Sequence, residues 1–111
     1  MWVGQSSPFG GRTRTRVLLT LGLLGESYPR ELSRVLETRL SGIQQAIRSL
    51  ESDGLIAGRS VGRTRVFRIE PRYFAYKELL AYVERLAEPE EELRDRVASL
   101  RRRPRRTGKP L

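Results

Sequence analysis

Residues 40–56 read Leu-Ser-Gly-Ile-Gln-Gln-Ala-Ile-Arg-Ser-Leu-Glu-Ser-Asp-Gly-Leu-Ile. Two adjacent amides, Gln44 and Gln45, stand one helical turn before Arg48 and one turn after Ser41 and Gly42. An amide carries a donor and an acceptor side by side, which matches the N6 and N7 edge of adenine. A guanidinium donates twice, which matches O6 and N7 of guanine. Just downstream, Gly58-Arg59-Ser60-Val61-Gly62-Arg63-Thr64-Arg65-Val66-Phe67-Arg68-Ile69 places four arginines in a segment without an acid. A planar guanidinium fork grips phosphate oxygens in pairs. The chemistry these residue types support is non-covalent: base edges read by the first segment, phosphates held by the second.

Covalent chemistry finds little support. The chain has no cysteine and no histidine, which excludes disulfides, thiol nucleophiles, zinc fingers and a histidine base. Glu90-Glu91-Glu92 imitates paired catalytic carboxylates, but acids at the start of a helix complement its dipole and explain the run better. Tyr73, Tyr76 and Tyr82 stand at helical spacing, where core or interface packing is the commoner use of tyrosine than a small-molecule pocket. No phosphate-binding loop and no nucleophile paired with a base is visible, so an enzyme is not expected, and neither is a cofactor or a metal. The longest apolar stretch, Val17 to Leu24, is too short to span a bilayer. The N-terminus carries no secretion signal. The expectation is a cytoplasmic protein with no membrane partner.

The elements that must position these residues are legible from periodicity. Residues 1–11 are rich in Gly, Ser and Pro and are expected to form a flexible arm. Val17, Leu18, Leu21 and Leu24 recur at helical spacing and predict a first helix over roughly 12–24, closed by Gly25. Pro29 opens a second helix with Leu32, Val35 and Leu36 as its buried stripe. Ser41 is a good N-cap for a third, whose stripe is Ile43, Ala46, Ile47 and Leu50. That stripe leaves Gly42, Gln44, Gln45, Arg48 and Ser49 facing outward, and Asp53-Gly54 ends the helix. Leu55 to Ser60 and Thr64 to Ile69 predict two strands around Val61-Gly62-Arg63, with Phe67 and Ile69 inward. A fourth helix is expected at about 73–87 and a fifth at about 90–102. The stripes Tyr76, Leu79, Leu80, Val83, Leu86 and Leu93, Val97, Leu100 are expected to form a dimer interface.

Helix, helix, Leu-Ser-x-x-Ile-x-x-x-Ile-x-x-Leu-x-x-x-Gly-Leu-Ile and a basic hairpin resemble the winged helix-turn-helix of ArsR/MarR-like bacterial and archaeal transcription regulators, over roughly residues 12–87. The resemblance implies a mainly α fold with a small β-hairpin wing, a three-helix core, and one or two C-terminal helices that dimerise. It implies that the helix after the turn enters the major groove of double-stranded DNA, with Ser41, Gly42, Gln44, Gln45 and Arg48 facing the bases. The wing residues Arg59, Arg63 and Arg65 would touch the backbone or minor groove. Metal-sensing members use Cys and His clusters, which this chain lacks, so metal sensing does not carry over. The implied organisation is an arm (1–11), a DNA-binding domain (12–72), dimerising helices (73–103) and a basic tail (104–111).

The charge distribution agrees with that reading. Net charge is +9, carried by 20 Arg and 2 Lys against 13 acids, though the base composition of the source genome gives the same arginine bias. By segment the charge is +3 over 1–25, −1 over 26–56, +4 over 57–72, −4 over 73–93 and +7 over 94–111. Near-neutral reading helices flanked by basic arms suit a module that separates readout from attraction. The tail residues Arg101, Arg102, Arg103, Arg105 and Arg106 are candidates for a further DNA contact, with a solvated tail as the alternative. The expected function is sequence-specific DNA binding by a homodimeric regulator, a repressor, on the nucleoid of a bacterium or archaeon; no small-molecule effector is assigned. A protein-interaction adaptor or an RNA-binding module is the rival reading.

Overall fold

The structure is a computed structural model and describes Trp2 and residues 7–102. Its elements are α1 (Arg12–Leu24), α2 (Pro29–Leu36), α3 (Leu40–Ser52), β1 (Ile56–Val61), β2 (Thr64–Ile69), α4 (Tyr76–Ala87) and α5 (Glu91–Arg102).

α1 is the centre. Val17, Leu18, Leu19 and Leu21 are all buried, so the helix is apolar well beyond one stripe, the composition of a helix surrounded by others. α3, α4, α5 and β2 pack around it. The two buried threonines on it cost nothing in unpaired hydroxyls: Thr15 Oγ1 donates to the Gly11 carbonyl at 2.9 Å and Thr20 Oγ1 to that of Arg16 at 2.8 Å.

α2 ends at Glu37, which takes a left-handed conformation (φ 51°). The Thr38 N–H returns to the Ser33 carbonyl at 3.1 Å, and the Ser33 hydroxyl donates to the Thr38 carbonyl at 2.5 Å. This tight turn starts α3 two residues earlier than a cap at Ser41 implies. Arg39 is the N-cap, and Ser41 lies inside the first turn, exposed, instead of capping it. The far end of α3 closes as a Schellman motif: the N–H of Gly54 (φ 76°) reaches the Glu51 carbonyl at 2.9 Å and that of Leu55 the Leu50 carbonyl at 3.0 Å. Leu55 is thereby spent on the helix end, and the first strand begins at Ile56.

β1 and β2 pair antiparallel from Ile56↔Ile69 to Val61↔Thr64. Phe67 and Ile69 are buried and Thr64 and Arg68 exposed, the alternation expected, while Arg65, on the side of Phe67 but near the tip, is exposed as well. Phe67 lies across from Gly58, where a Cβ would come within 2.7 Å of its ring. Ser27, in the α1–α2 connection, adds a one-residue bridge on the other side of Phe67. The hairpin is thus tied to the helical body at its base and free at its tip.

The C-terminal half departs further from expectation. The segment 71–75 forms turns before α4, with the Tyr73 N–H on the Glu70 carbonyl and the Tyr76 N–H on that of Tyr73, so the helix starts at Tyr76 and not at 73. Leu79, Val83, Leu93 and Val97, expected at a dimer interface, are buried in the same core as α1 and α3. The core therefore runs across the boundary expected at residue 72. Of that interface set, Tyr76, Leu80, Leu86 and Leu100 remain half-buried at the edge of the core. α5 is further pinned by Arg96, whose guanidinium donates to the Val35 carbonyl (2.8 Å) and pairs with Glu37 (3.1 Å) and Glu92 (2.9 Å). It caps α2 where the turn into α3 begins.

The expected arm is anchored where it is described. The Phe9 ring lies 5.7 Å from that of Tyr82, and Trp2 packs beneath the Arg16 guanidinium at 4.6 Å. The rest of the arm (Met1 and residues 3–6) and the basic tail from Arg103 onward, with Arg105 and Arg106, lie outside the described residues.

Candidate nucleic-acid interface

α3 has two opposed faces. Ile43, Ala46, Ile47 and Leu50 are buried, while Ser41, Gln44, Gln45 and Arg48 are exposed. The spacing 41, 44, 45, 48 is i, i+3, i+4, i+7, which places the four side chains along one ridge. Gly42 is half-buried beside Thr38, so it brings backbone instead of a side chain to that ridge. Ser49, expected outward, turns to the flank and accepts a hydrogen bond from Arg14.

The wing stands beside the C-terminal half of α3, joined to it by Arg65. That guanidinium lies 5.1 Å over the Phe67 ring and 3.5 Å from the Glu51 carboxylate on α3. Arg59 pairs with Glu26 at 2.8 Å. The hairpin segment has no acid of its own, but the fold supplies two, at positions 26 and 51. Both pairs are exposed, and such pairs are worth only ~0–1 kcal/mol. Arg63 and Arg68 are exposed and make no ion pair among the described residues. Arg63 occupies the tip with Gly62, whose positive φ (62°) at the first central position is the pattern of a type II′ turn. Val61 beside it is an exposed apolar residue, 47% accessible.

Other basic groups are already engaged. Arg101, expected in a DNA-contacting tail, donates to the Leu23 carbonyl and so caps the end of α1. Burial holds the Arg16 guanidinium below its ordinary pKa, the charge of Arg12 adds to that, and Glu90 opposes it. Among the described residues, no group of three or more carboxylates is placed to share a metal ion. No described helix is long and apolar enough to cross a membrane.

The residues missed by pattern reading are Arg14, Glu26, Glu51 and Arg96. Only Arg96 left a local signal, its i+4 spacing from Glu92; the other partners are 14 to 39 residues away in the chain.

No family model matches the chain, and no curated protein does. Among solved structures, the adhesin competence repressor AdcR from Streptococcus pyogenes superposes with a TM-score of 0.60 at 16% identity, over 81% of this chain and 66% of that one. ZitR from Lactococcus lactis superposes with a TM-score of 0.51 at 15% identity, over 90% of this chain and 80% of that one. The fold is a winged helix-turn-helix. In it α2 and α3 are the helix-turn-helix pair and β1–β2 the wing. The chain spans just under two thirds of the length of AdcR.

Proposed function

We propose that this chain is a sequence-specific double-stranded DNA-binding transcriptional regulator that acts as a repressor. α3 enters the major groove, presenting Ser41, Gly42, Gln44, Gln45 and Arg48 to base edges. The wing, through Arg59, Arg63 and Arg65, holds the flanking backbone or minor groove. The observation that carries this reading is the exposed polar ridge of α3 beside a wing with unpaired arginines. A winged helix used as a protein adaptor has no need of that charge, and the likeness in fold to a repressor supports the same conclusion. The reading includes a homodimer in the cytoplasm, on the nucleoid, bound to a two-fold operator. With Leu79, Val83, Leu93 and Val97 inside the core, the dimer uses the outer surface instead: Tyr76, Leu80, Leu86 and Leu100 with Phe74, which is 92% exposed. No catalytic role is assigned.

A gel shift on random duplex at two salt concentrations tests the class. Duplex binding that weakens with salt is the expected result, whereas salt-insensitive or absent binding indicates an adaptor, and preference for single strands indicates RNA. Selection from a random duplex pool then gives the operator, and a palindromic product supports the dimer.

Two variants probe the wing. Arg63→Ala lowers affinity for all duplexes alike and reduces the slope of log K against log salt by about 0.9, one phosphate contact. An unchanged slope removes Arg63 from the contact surface. Glu51→Gln works the other way: it releases Arg65 for phosphate and removes a nearby negative charge. Affinity for random duplex is expected to rise by up to about fivefold, given the modest worth of an exposed pair. A fall would mean that Glu51 is needed to hold the wing in place.

A further inference from the structure

The apolar stripe beneath α3 sets which face the helix buries, while the last degrees of its rotation are fixed by directional contacts at its flanks. Base readout depends on that rotation. Side-chain tips lie roughly 5–6 Å from a helix axis, so turning α3 by about 20° moves them by ~2 Å. A bidentate contact does not survive such a shift, since hydrogen bonds occupy a window of about 2.7–3.2 Å.

Arg65 on Glu51 is one such contact, and a largely buried side chain supplies a second. Arg14, in the first turn of α1, extends its guanidinium to the flank of α3. Its Nη1 donates to Ser49 Oγ at 2.5 Å and pairs with Asp53 Oδ2 at 2.8 Å. Ser49 and Asp53 are spaced i, i+4, so a single nitrogen ties down a full turn of the helix, beginning next to Arg48. The same guanidinium is itself held from behind, where Nε donates to the Phe9 carbonyl at 2.5 Å. Phe9 rests on Tyr82 of α4. The Arg14 side chain is only 19% exposed.

We infer that Arg14 is a positioning residue for base readout: it sets the rotation of α3 and refers that setting, through Phe9, to α4. It makes no contact with DNA. The inference rests on the DNA-binding reading above and deepens it by assigning specificity to a residue behind the interface. It also gives the segment before α1 a role, because the carbonyl that braces Arg14 belongs to Phe9.

The test compares full-length Arg14→Met, Ser49→Ala and Asp53→Asn with the unaltered protein on two probes, a random duplex and the duplex enriched from a random pool, with thermal unfolding followed in parallel. Arg14→Met is expected to lose affinity for the enriched duplex by about 5- to 150-fold, the discrimination one bidentate base contact carries. Affinity for random duplex and the salt slope stay as they were. Ser49→Ala and Asp53→Asn show smaller losses of the same kind. A purely structural role would shift the melting curve without moving the ratio between the two probes, and that result overturns the inference. An equal loss on both probes with a flatter salt slope overturns it too, by making Arg14 a phosphate contact. Should Arg14→Met fail to fold, the exposed partner variant Asp53→Asn decides by the same ratio. If the unaltered protein binds no duplex at all, the DNA reading itself fails, a result visible before any variant is compared.

Discussion

Replacing Gln44 and Gln45 together by alanine is expected to remove most of the preference for the selected operator while leaving the fold and the salt dependence unchanged. Both side chains are exposed on α3 and make no hydrogen bond among the described residues. Their removal opens no cavity, and alanine is the better helix former, so stability should hold or rise slightly. Neither residue is charged, so the counterion release that sets the salt slope is untouched. What disappears is the paired donor and acceptor of each amide, worth ~1–3 kcal/mol of discrimination for every base contacted bidentately. Competition between selected and random duplex for the double variant gives the answer directly. If the preference survives intact, base reading lies elsewhere, and Arg48 and Ser41 become the candidates. Arg48→Ala, in contrast, is expected to lower both discrimination and the salt slope, because its charge attracts the duplex while its fork reads it.

Much of this arrangement was legible before any coordinates. The stripe Ile43, Ala46, Ile47, Leu50 identified both the buried and the outward face of α3, because period 3.6 has one solution when the apolar residues are large and regularly spaced. Asp53-Gly54 marked the stop, and the expected turn Val61-Gly62-Arg63 put Arg63 at the tip, although Val61 itself joins β1. Ser41 misled as a cap because capping depends on backbone geometry at the Glu37–Thr38 turn, and a left-handed glutamate there leaves no local signature. Of the α4 and α5 stripes expected to meet another chain, Leu79, Val83, Leu93 and Val97 are buried inside this one, while Tyr76, Leu80, Leu86 and Leu100 stay half-buried at its edge. An apolar stripe records that a face avoids water, not whose surface covers it. The contacts that pass through Arg14, Arg59 and Arg65 were invisible for a different reason. In a chain with 20 arginines, each one looks the same until the fold selects a partner for it.

Truncating Leu93 to alanine separates the two possible owners of α5. The side chain is fully buried, and α5 packs against α1 and α2 of the same chain. Loss of a buried leucine removes its transfer free energy and leaves a cavity, together about 2–5 kcal/mol. That is a large part of the ~5–15 kcal/mol that holds a domain of this size folded. The unfolding midpoint should fall by about 10 °C or more. The fall should also be the same at low and high protein concentration, because the lost packing is internal to one chain. Were Leu93 instead buried between two copies, its truncation would weaken assembly, and the midpoint would depend on concentration more strongly than before. The consequence reaches the reading helix. Loosening α5 also loosens Arg96 from the Val35 carbonyl and from Glu37, the two groups at the start of the turn that aims α3. Affinity for the selected duplex should therefore fall as the Leu93→Ala protein is warmed, at temperatures below those at which β1 and β2 melt.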